Sequence, residues 1–198
     1  MFYDRIESGE KLAKKITQYK DKKNTVILAL SKGGLVVGKA ISSKLNLSLG
    51  LLSVKKIYSP INSNLIIGAF AETGEPIIND QLIGTDGISP DYLDREISSL
   101  KEKIKNSNIN QKLIKKNDVS SQSIIIVDDG INSIYPVMAT ISYLKTQKVQ
   151  EIVIATPVIN SEIIFKLKNK VNHIYYIYSS TEPFTVDQFY EESFLETN

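Results

Sequence analysis

The sequence predicts an α/β protein with a mainly parallel central sheet, and three observations point there. The run Ser123-Ile124-Ile125-Ile126-Val127 is apolar without alternation, as a central parallel strand covered on both faces must be. Short β-branched runs alternate along the chain with amphipathic segments of helical length, which is the order a βαβ architecture needs. Finally, the most reactive-looking residues, Asp128 and Asp129, stand directly after that central run, where the strands of such folds end and loops diverge to open a cleft.

The elements follow in order. Residues 7–19 carry Leu12, Ile16 and Tyr19 at helical spacing, and 25–30 form the first core strand. Residues 35–45 return as a helix and 49–54 as a second strand. From 58 to 87 the pattern breaks, with Pro60, Gly68, Gly74, Pro76, Gly84 and Gly87 punctuating apolar runs at 65–70 and 76–78. Such punctuation predicts a loop or hairpin excursion, about 58–88, with an exposed apolar stretch at 65–70 suited to an interface or lid. A charged helix over 90–116, with a break near 106–110, leads to the central strand. The next helix shows Val137, Ile141 and Leu144 on one stripe, and Pro136 fits its first position because the ring presets φ. A strand at 151–157, a helix at 161–170 and a strand at 173–178 complete the alternation. His173 reads as the polar start of that last strand, with Tyr175, Tyr176 and Tyr178 divided between core and surface.

Composition narrows the function classes. The 198 residues, 42% hydrophobic, suffice for one domain with a full core. A formal net charge of +2 demands neither nucleic acid nor an anionic membrane as partner, and the lysines at 14–15, 20–23 and 101–116 read as solvated helix faces. The absence of cysteine removes disulfides, thiol nucleophiles and cysteine zinc sites, and one histidine cannot build a histidine metal cluster. Charges at Asp4, Arg5 and Glu7 without an apolar run behind them, and no stretch of membrane-spanning length, give a cytoplasmic expectation.

Asp128 and Asp129 lie beside a helix start whose backbone N–H groups attract anions. A ligand carrying both hydroxyls and phosphate reconciles the two, because carboxylates accept from hydroxyls while amides donate to phosphate oxygens. The competing explanation is a pair of acids complementing a helix dipole. Adjacent side chains on a strand point to opposite faces, which argues against both capping one helix. The paired glycines in Ser31-Lys32-Gly33-Gly34, after the first strand, allow close backbone approach to a ligand, or serve the turn alone; Lys32 adds a mobile positive charge.

Asp128-Asp129-Gly130-Ile131-Asn132-Ser133 resembles the phosphoribosyl-diphosphate (PRPP) motif of type I phosphoribosyltransferases, and in particular a group whose strand ends read Asp-Asp-Gly-Ile-Ala-Thr-Gly-Ala-Thr. Phe2-Tyr3-Asp4-Arg5 with Gly9, Leu30-Ser31-Lys32-Gly33-Gly34, Lys55-Lys56-Ile57 leading to Ile67-Gly68-Ala69, Ala155-Thr156-Pro157-Val158 and the aromatic tail around Phe184 and Tyr190 follow that group in the same order. The resemblance implies a single-domain three-layer type I phosphoribosyltransferase fold with a flexible hood. It implies that Asp128 and Asp129 hold the ribose hydroxyls and that Gly130, Ile131, Asn132, Ser133, Ile134 and Tyr135 wrap the 5′-phosphate. It places Ser31, Lys32, Gly33 and Gly34 at the diphosphate, with Lys55 or Lys56 in a mobile loop facing it, unless these two form a solvated strand end. Phe184 is similar to the aromatic that stacks on a nucleobase, or is a core or interface aromatic. Mg²⁺ is expected to arrive with PRPP rather than on protein ligands, no residue is singled out as catalytic, the acceptor is unspecified, and a homodimer is implied.

The departures raise an alternative. Ser133-Ile134-Tyr135-Pro136 replaces Thr-Gly-Ala-Thr. Ile134 stands where a glycine lets backbone approach phosphate, and Pro136 removes a hydroxyl and a donor. Each lost donor to a charged oxygen costs roughly 1.5–3 kcal/mol. A catalytically degenerate homodimer that binds PRPP or a nucleotide in a regulatory or structural role is the second expectation.

Overall fold

The computed structural model of the protein describes residues 1–71, 74–106 and 119–192. The parallel sheet forms where the β-branched runs predicted it: β1 (Thr25–Ala29), β2 (Ser48–Leu51), β6 (Ser123–Val127), β7 (Glu151–Asn160) and β8 (His173–Ser180), in the order β2-β1-β6-β7-β8 and parallel throughout. A second, antiparallel sheet joins β3 (Val54–Tyr58), β4 (Ile66–Ala71) and β5 (Ile77–Ile78). The helices are α1 (Arg5–Lys15), α2 (Lys32–Leu45), α3 (Asp80–Thr85), α4 (Pro90–Asn106), α5 (Ile134–Thr146) and α6 (Ser161–Leu167).

Strand periodicity builds the layers. Ile27, Ile125 and Val127 project to one face, where Leu12, Ile16, Val37 and Ile41 of α1 and α2 cover them. Val26, Leu28, Ile124 and Ile126 project to the other, under Val137, Ile141 and Leu144 of α5. Every residue of β6 is buried, because the strand is paired on both edges and covered on both faces.

Several expectations are corrected. The second predicted strand is two strands: the chain leaves the parallel sheet at Leu51 and starts an antiparallel one at Val54, so Lys55 and Lys56 lie inside β3. The apolar stretch 65–70 is folded into β4 and its approach and largely buried, not exposed. Ile67 and Phe70 are buried with Ile57, Ile88 and Leu100, while Ala69 and Ala71 face α5. Pro136 is the third residue of α5, still in the first turn where a missing N–H leaves no intrahelical bond unmade. Strand β7 runs past Pro157 to Asn160, Val158 and Ile159 resuming the pairing with β8. The stretch 107–118 of the predicted charged helix, with its break, lies outside the described residues. Among the described residues no helix is long and apolar enough to cross a membrane.

Candidate active site at the end of the central strand

After Val127 the chain detours. It leaves β6 at Asp128, and Ile131 rejoins the sheet by bridging Ile159, its N–H donating to the Val158 carbonyl at 2.9 Å. The two acids occupy the detour, so strand alternation does not apply to them. Both carboxylates turn toward the first turn of α2, contrary to the expectation of opposite faces. A Cβ on Gly33 would sit 2.1 Å from Asp129 Oδ2, and one on Gly34 would sit 2.7 Å from Asp128 Oδ1. The paired glycines are therefore sterically required by the acids themselves.

Ser31 organises this contact. Its backbone is extended, and its hydroxyl caps α2 by accepting from Gly34 N at 2.8 Å. The same hydroxyl donates to Asp128 Oδ1, with Asp129 Oδ1 at the margin, 3.3 Å away. Asp129 N–H also reaches Asp128 Oδ1 at 3.1 Å. Asp128 is half-buried beside a second carboxyl; burial first, and then the Asp129 charge, push it up from 3.8 to about 7, against the Ser31 hydrogen bond and the charge of Lys56.

Asp129 is tied to the opposite end of the chain. Arg5, 6% exposed, donates from Nε to Asp129 Oδ2 at 2.7 Å and from a terminal nitrogen to Asp187 Oδ1 at 2.6 Å. Its guanidinium lies 4.4 Å from the centre of the Tyr190 ring, and Tyr190 donates its hydroxyl to the Asp129 carbonyl at 2.6 Å. Burial lowers the Arg5 pKa, but the hydrogen bonds to Asp187 and Asp129 outweigh it, and the net direction is up. Sequence reasoning quoted Arg5 without giving it a role. A signal was there: a cation in the first turn of a helix opposes the dipole, so an arginine just after the Asp4 cap needs a specific partner elsewhere.

Two clefts open at residues next to the acids, and neither is lined by the acids themselves. The first, of about 140 Å³, is lined by Leu30, Ser31, Lys32, Leu52, Ser53 and Lys55 and others, and so joins three predicted diphosphate residues. Gly33 and Gly34 are buried behind it, and Lys56 is exposed on the other face of β3, its charge felt by Asp128. The second, of about 490 Å³, is lined by Asn132, Ser133, Ile134 and Tyr135 together with Asn160, Glu162, Lys166, Leu65 and Leu82 among others. The predicted phosphate loop divides here. Asn132 to Tyr135 face this cleft, whereas Ile131 is in the core with its N–H already bonded, and Gly130 is covered by Val186, whose Cγ2 lies 2.8 Å from where a Cβ would be. Ile134 takes helical φ, so the β-branched residue is unstrained. Ser133 caps α5 without a side-chain hydrogen bond, unlike Asp4, Ser31, Asn79 and Asn160 at their helices.

Phe184 is half-buried, edge-on to Phe189 with centroids 5.1 Å apart, and its carbonyl accepts from Asn132 Nδ2 at 3.2 Å. Asn132 thus has a hydrogen-bonding role, holding the C-terminal segment near the site. The fold agrees with a comparison of the sequence: the phosphoribosyl transferase domain model matches residues 3–190.

The chain belongs to the phosphoribosyl transferase domain family.

Two Mycobacterium tuberculosis proteins, from strains CDC 1551 / Oshkosh and H37Rv, are named provisionally as phosphoribosyl transferases. Each is 25% identical over 202 residues, covering 100% of this chain and 44% of its own length. The chain therefore spans less than half the length of these curated relatives. Among solved structures, a Thermus thermophilus protein superposes with a TM-score of 0.71 at 22% identity, covering 96% of this chain and 89% of its own. A Staphylococcus aureus hypoxanthine phosphoribosyltransferase gives 0.52 at 15% identity, covering 89% and 73%. These likenesses establish the type I phosphoribosyltransferase fold.

Proposed function

We propose that the protein binds PRPP across the end of β6 and transfers the 5-phosphoribosyl group to or from a nucleobase or similar acceptor, with release of diphosphate. The observation that carries this reading is the acid pair at the end of β6 with Ser31, the partner of Asp128, lining one cleft with Lys32 and Lys55, and Asn132, three residues beyond Asp129, lining another with Ser133, Ile134 and Tyr135. A phosphorylated sugar diphosphate has that layout, with hydroxyls in the middle and phosphate at each end.

In the forward direction the bond from the anomeric carbon to the diphosphate oxygen breaks, and a bond from that carbon to an acceptor nitrogen forms, with positive charge developing on the sugar between the two events. Lys32 and Lys55 attract the departing diphosphate as mobile point charges. Asp128 and Asp129 accept from the ribose hydroxyls, and at the α5 start the N–H groups of Ile134 and Tyr135 with the Ser133 hydroxyl meet the 5′-phosphate. Among the described residues no cluster of three or more His, Asp or Glu could hold a metal. A Mg²⁺ carried by the diphosphate would neutralise leaving-group charge. A homodimer and a cytoplasmic location belong to the same proposal.

The second reading, a degenerate binder, is favoured by Pro136 in the α5 first turn and by Arg5 already engaging one Asp129 oxygen. Calorimetric titration with PRPP and Mg²⁺, alongside an assay for diphosphate release with a panel of nucleobases, separates the two. Binding with turnover is expected. Binding without turnover assigns a sensor, and no heat with millimolar PRPP or any nucleotide overturns PRPP binding and leaves a structural role.

A further inference from the structure

Arg5 lies outside the residues that the proposed chemistry uses, yet it is the most buried charge at the site. Its side chain is 6% exposed and forms a fork between Asp129 (13% exposed) and Asp187 (63% exposed). Three constraints fix it there. Asp4 caps α1 one residue earlier by accepting from Glu7 N at 2.7 Å, which sets the helix start. Gly9 lets α1 approach α2 so closely that a Cβ would meet the Val37 carbonyl at 2.6 Å. Tyr190 stacks under the guanidinium at 4.4 Å while bonding the Asp129 backbone at 2.6 Å. A charge held by this many independent contacts has a defined direction, and that direction is Asp129 Oδ2.

Two carboxyls side by side resist joint ionisation. A cation engaging one of them decides which keeps the charge. We infer that Arg5 is the positioning residue of the acid pair: it fixes the Asp129 side chain in a constant orientation and leaves Asp128, bonded to Ser31, as the carboxyl that donates or accepts according to its ligand. This inference rests on the proposed ribose-binding role of the pair. It goes beyond that role by naming the residue that divides the labour between the two acids. The groups facing the pair from the surrounding elements are Arg5 of α1, Ser31 at the α2 start, Lys56 of β3, and Asp187 and Tyr190 of the C-terminal segment. Among these described groups, Arg5 is the cation that bonds a carboxylate of the pair, at 2.7 Å. The upward direction of the Asp128 pKa agrees with that assignment.

The test has two arms on the full chain. In the first, carbon-13 carboxyl resonances of Asp128 and Asp129 are titrated in wild type, Arg5→Gln and Arg5→Lys. The expected result is that Arg5→Gln changes the separation of the two midpoints relative to wild type. Midpoints unchanged in Arg5→Gln overturn the inference, whatever PRPP does. In the second arm, PRPP binding with Mg²⁺ is measured calorimetrically. Arg5→Gln is expected to weaken it by about tenfold or more, and Arg5→Lys, which keeps the charge but loses the fork, by less. Equal, near-wild-type affinity in both variants overturns the positioning role. If wild type shows no PRPP binding, the proposed function fails, and the resonance arm still decides whether Arg5 sets the charge of the pair. Should Arg5→Gln not fold, Arg5→Lys and Asp187→Asn carry both arms, since Asp187 is exposed and its loss loosens one tine of the fork. A shift of the Asp129 midpoint in either supports the inference, and its absence in both overturns it.

Discussion

At the scale of single residues, the acid pair has a consequence for stability. Asp128 is held near 7 in the folded protein against about 3.9 for an unperturbed aspartate. A raised folded pKa means the native state binds this proton more tightly than the unfolded chain does. The associated stability is complete below about pH 4, falls as pH rises through the intervening range, and is gone above about pH 7. Asp128→Asn keeps the shape and hydrogen-bonding capacity toward Ser31 but carries no charge. The variant is expected to match wild type near pH 4 and to exceed it by on the order of 2 kcal/mol at pH 8, a partly exposed group realising about half of the full conversion. Denaturant melts at several pH values check this, and parallel curves for the two proteins from pH 4 to 8 would refute it. The same substitution removes an acceptor of the proposed ribose site, so under that proposal PRPP affinity falls while stability rises. That opposition is the usual signature of a site residue kept at a cost to the fold.

At the scale of elements, most of the architecture was legible and the misreadings have physical causes. The central strand was readable because Ile124, Ile125 and Ile126 leave no polar face, and the structure buries all three completely. Residues 49–54 were read as one strand because Leu51, Leu52 and Val54 continue an apolar pattern without glycine or proline at the point where the chain changes sheets. Lys55 and Lys56 were misplaced with it. The acids, the serine-lysine-glycine-glycine turn and the Asn132 to Tyr135 stretch were visible as local words in the sequence. Arg5, Tyr190 and Val186 were not given roles, since their meaning comes from contacts across more than 50 residues of chain. Gly9 shows how helix packing serves the site. It sets the distance at which α1 crosses α2, and a methyl group there would meet both the Val37 carbonyl and the Ala40 Cβ, at 2.6 and 2.7 Å. Gly9→Ala is therefore expected to destabilise by about 1–3 kcal/mol through overpacking, despite the better helix propensity of alanine. Urea denaturation measures it, and an unchanged or raised midpoint would show that the helices can separate freely.

At the scale of the whole molecule, the first and last described segments close over the end of the central strand, where the candidate site lies. Phe2 bridges Tyr190 in parallel fashion, its N–H donates to the Phe189 carbonyl at 2.8 Å, and its carbonyl accepts from Glu191 at 2.9 Å. The Phe2 ring is fully buried against Tyr178 and Tyr190, with centroids 5.3 and 5.6 Å away. This clasp holds Val186 over Gly130, Asp187 against Arg5 and Phe184 against Asn132, beside the Tyr190 bond to the Asp129 carbonyl, so the C-terminal segment is fastened both to the acid detour and to the residues next to it. Phe2→Ala deletes the ring that seats the clasp, and by analogy with buried aromatic deletions is expected to cost about 3–5 kcal/mol. A local clasp predicts more than a lower melting temperature. Amide exchange at Glu191 and Glu192, whose N–H groups bond to Phe2 and Tyr3, should accelerate under conditions where β6 amides stay protected. If instead all amides accelerate together, the termini unfold only with the core, and the segment carrying Val186 and Asp187 is a fixed wall of the site rather than a separately opening one.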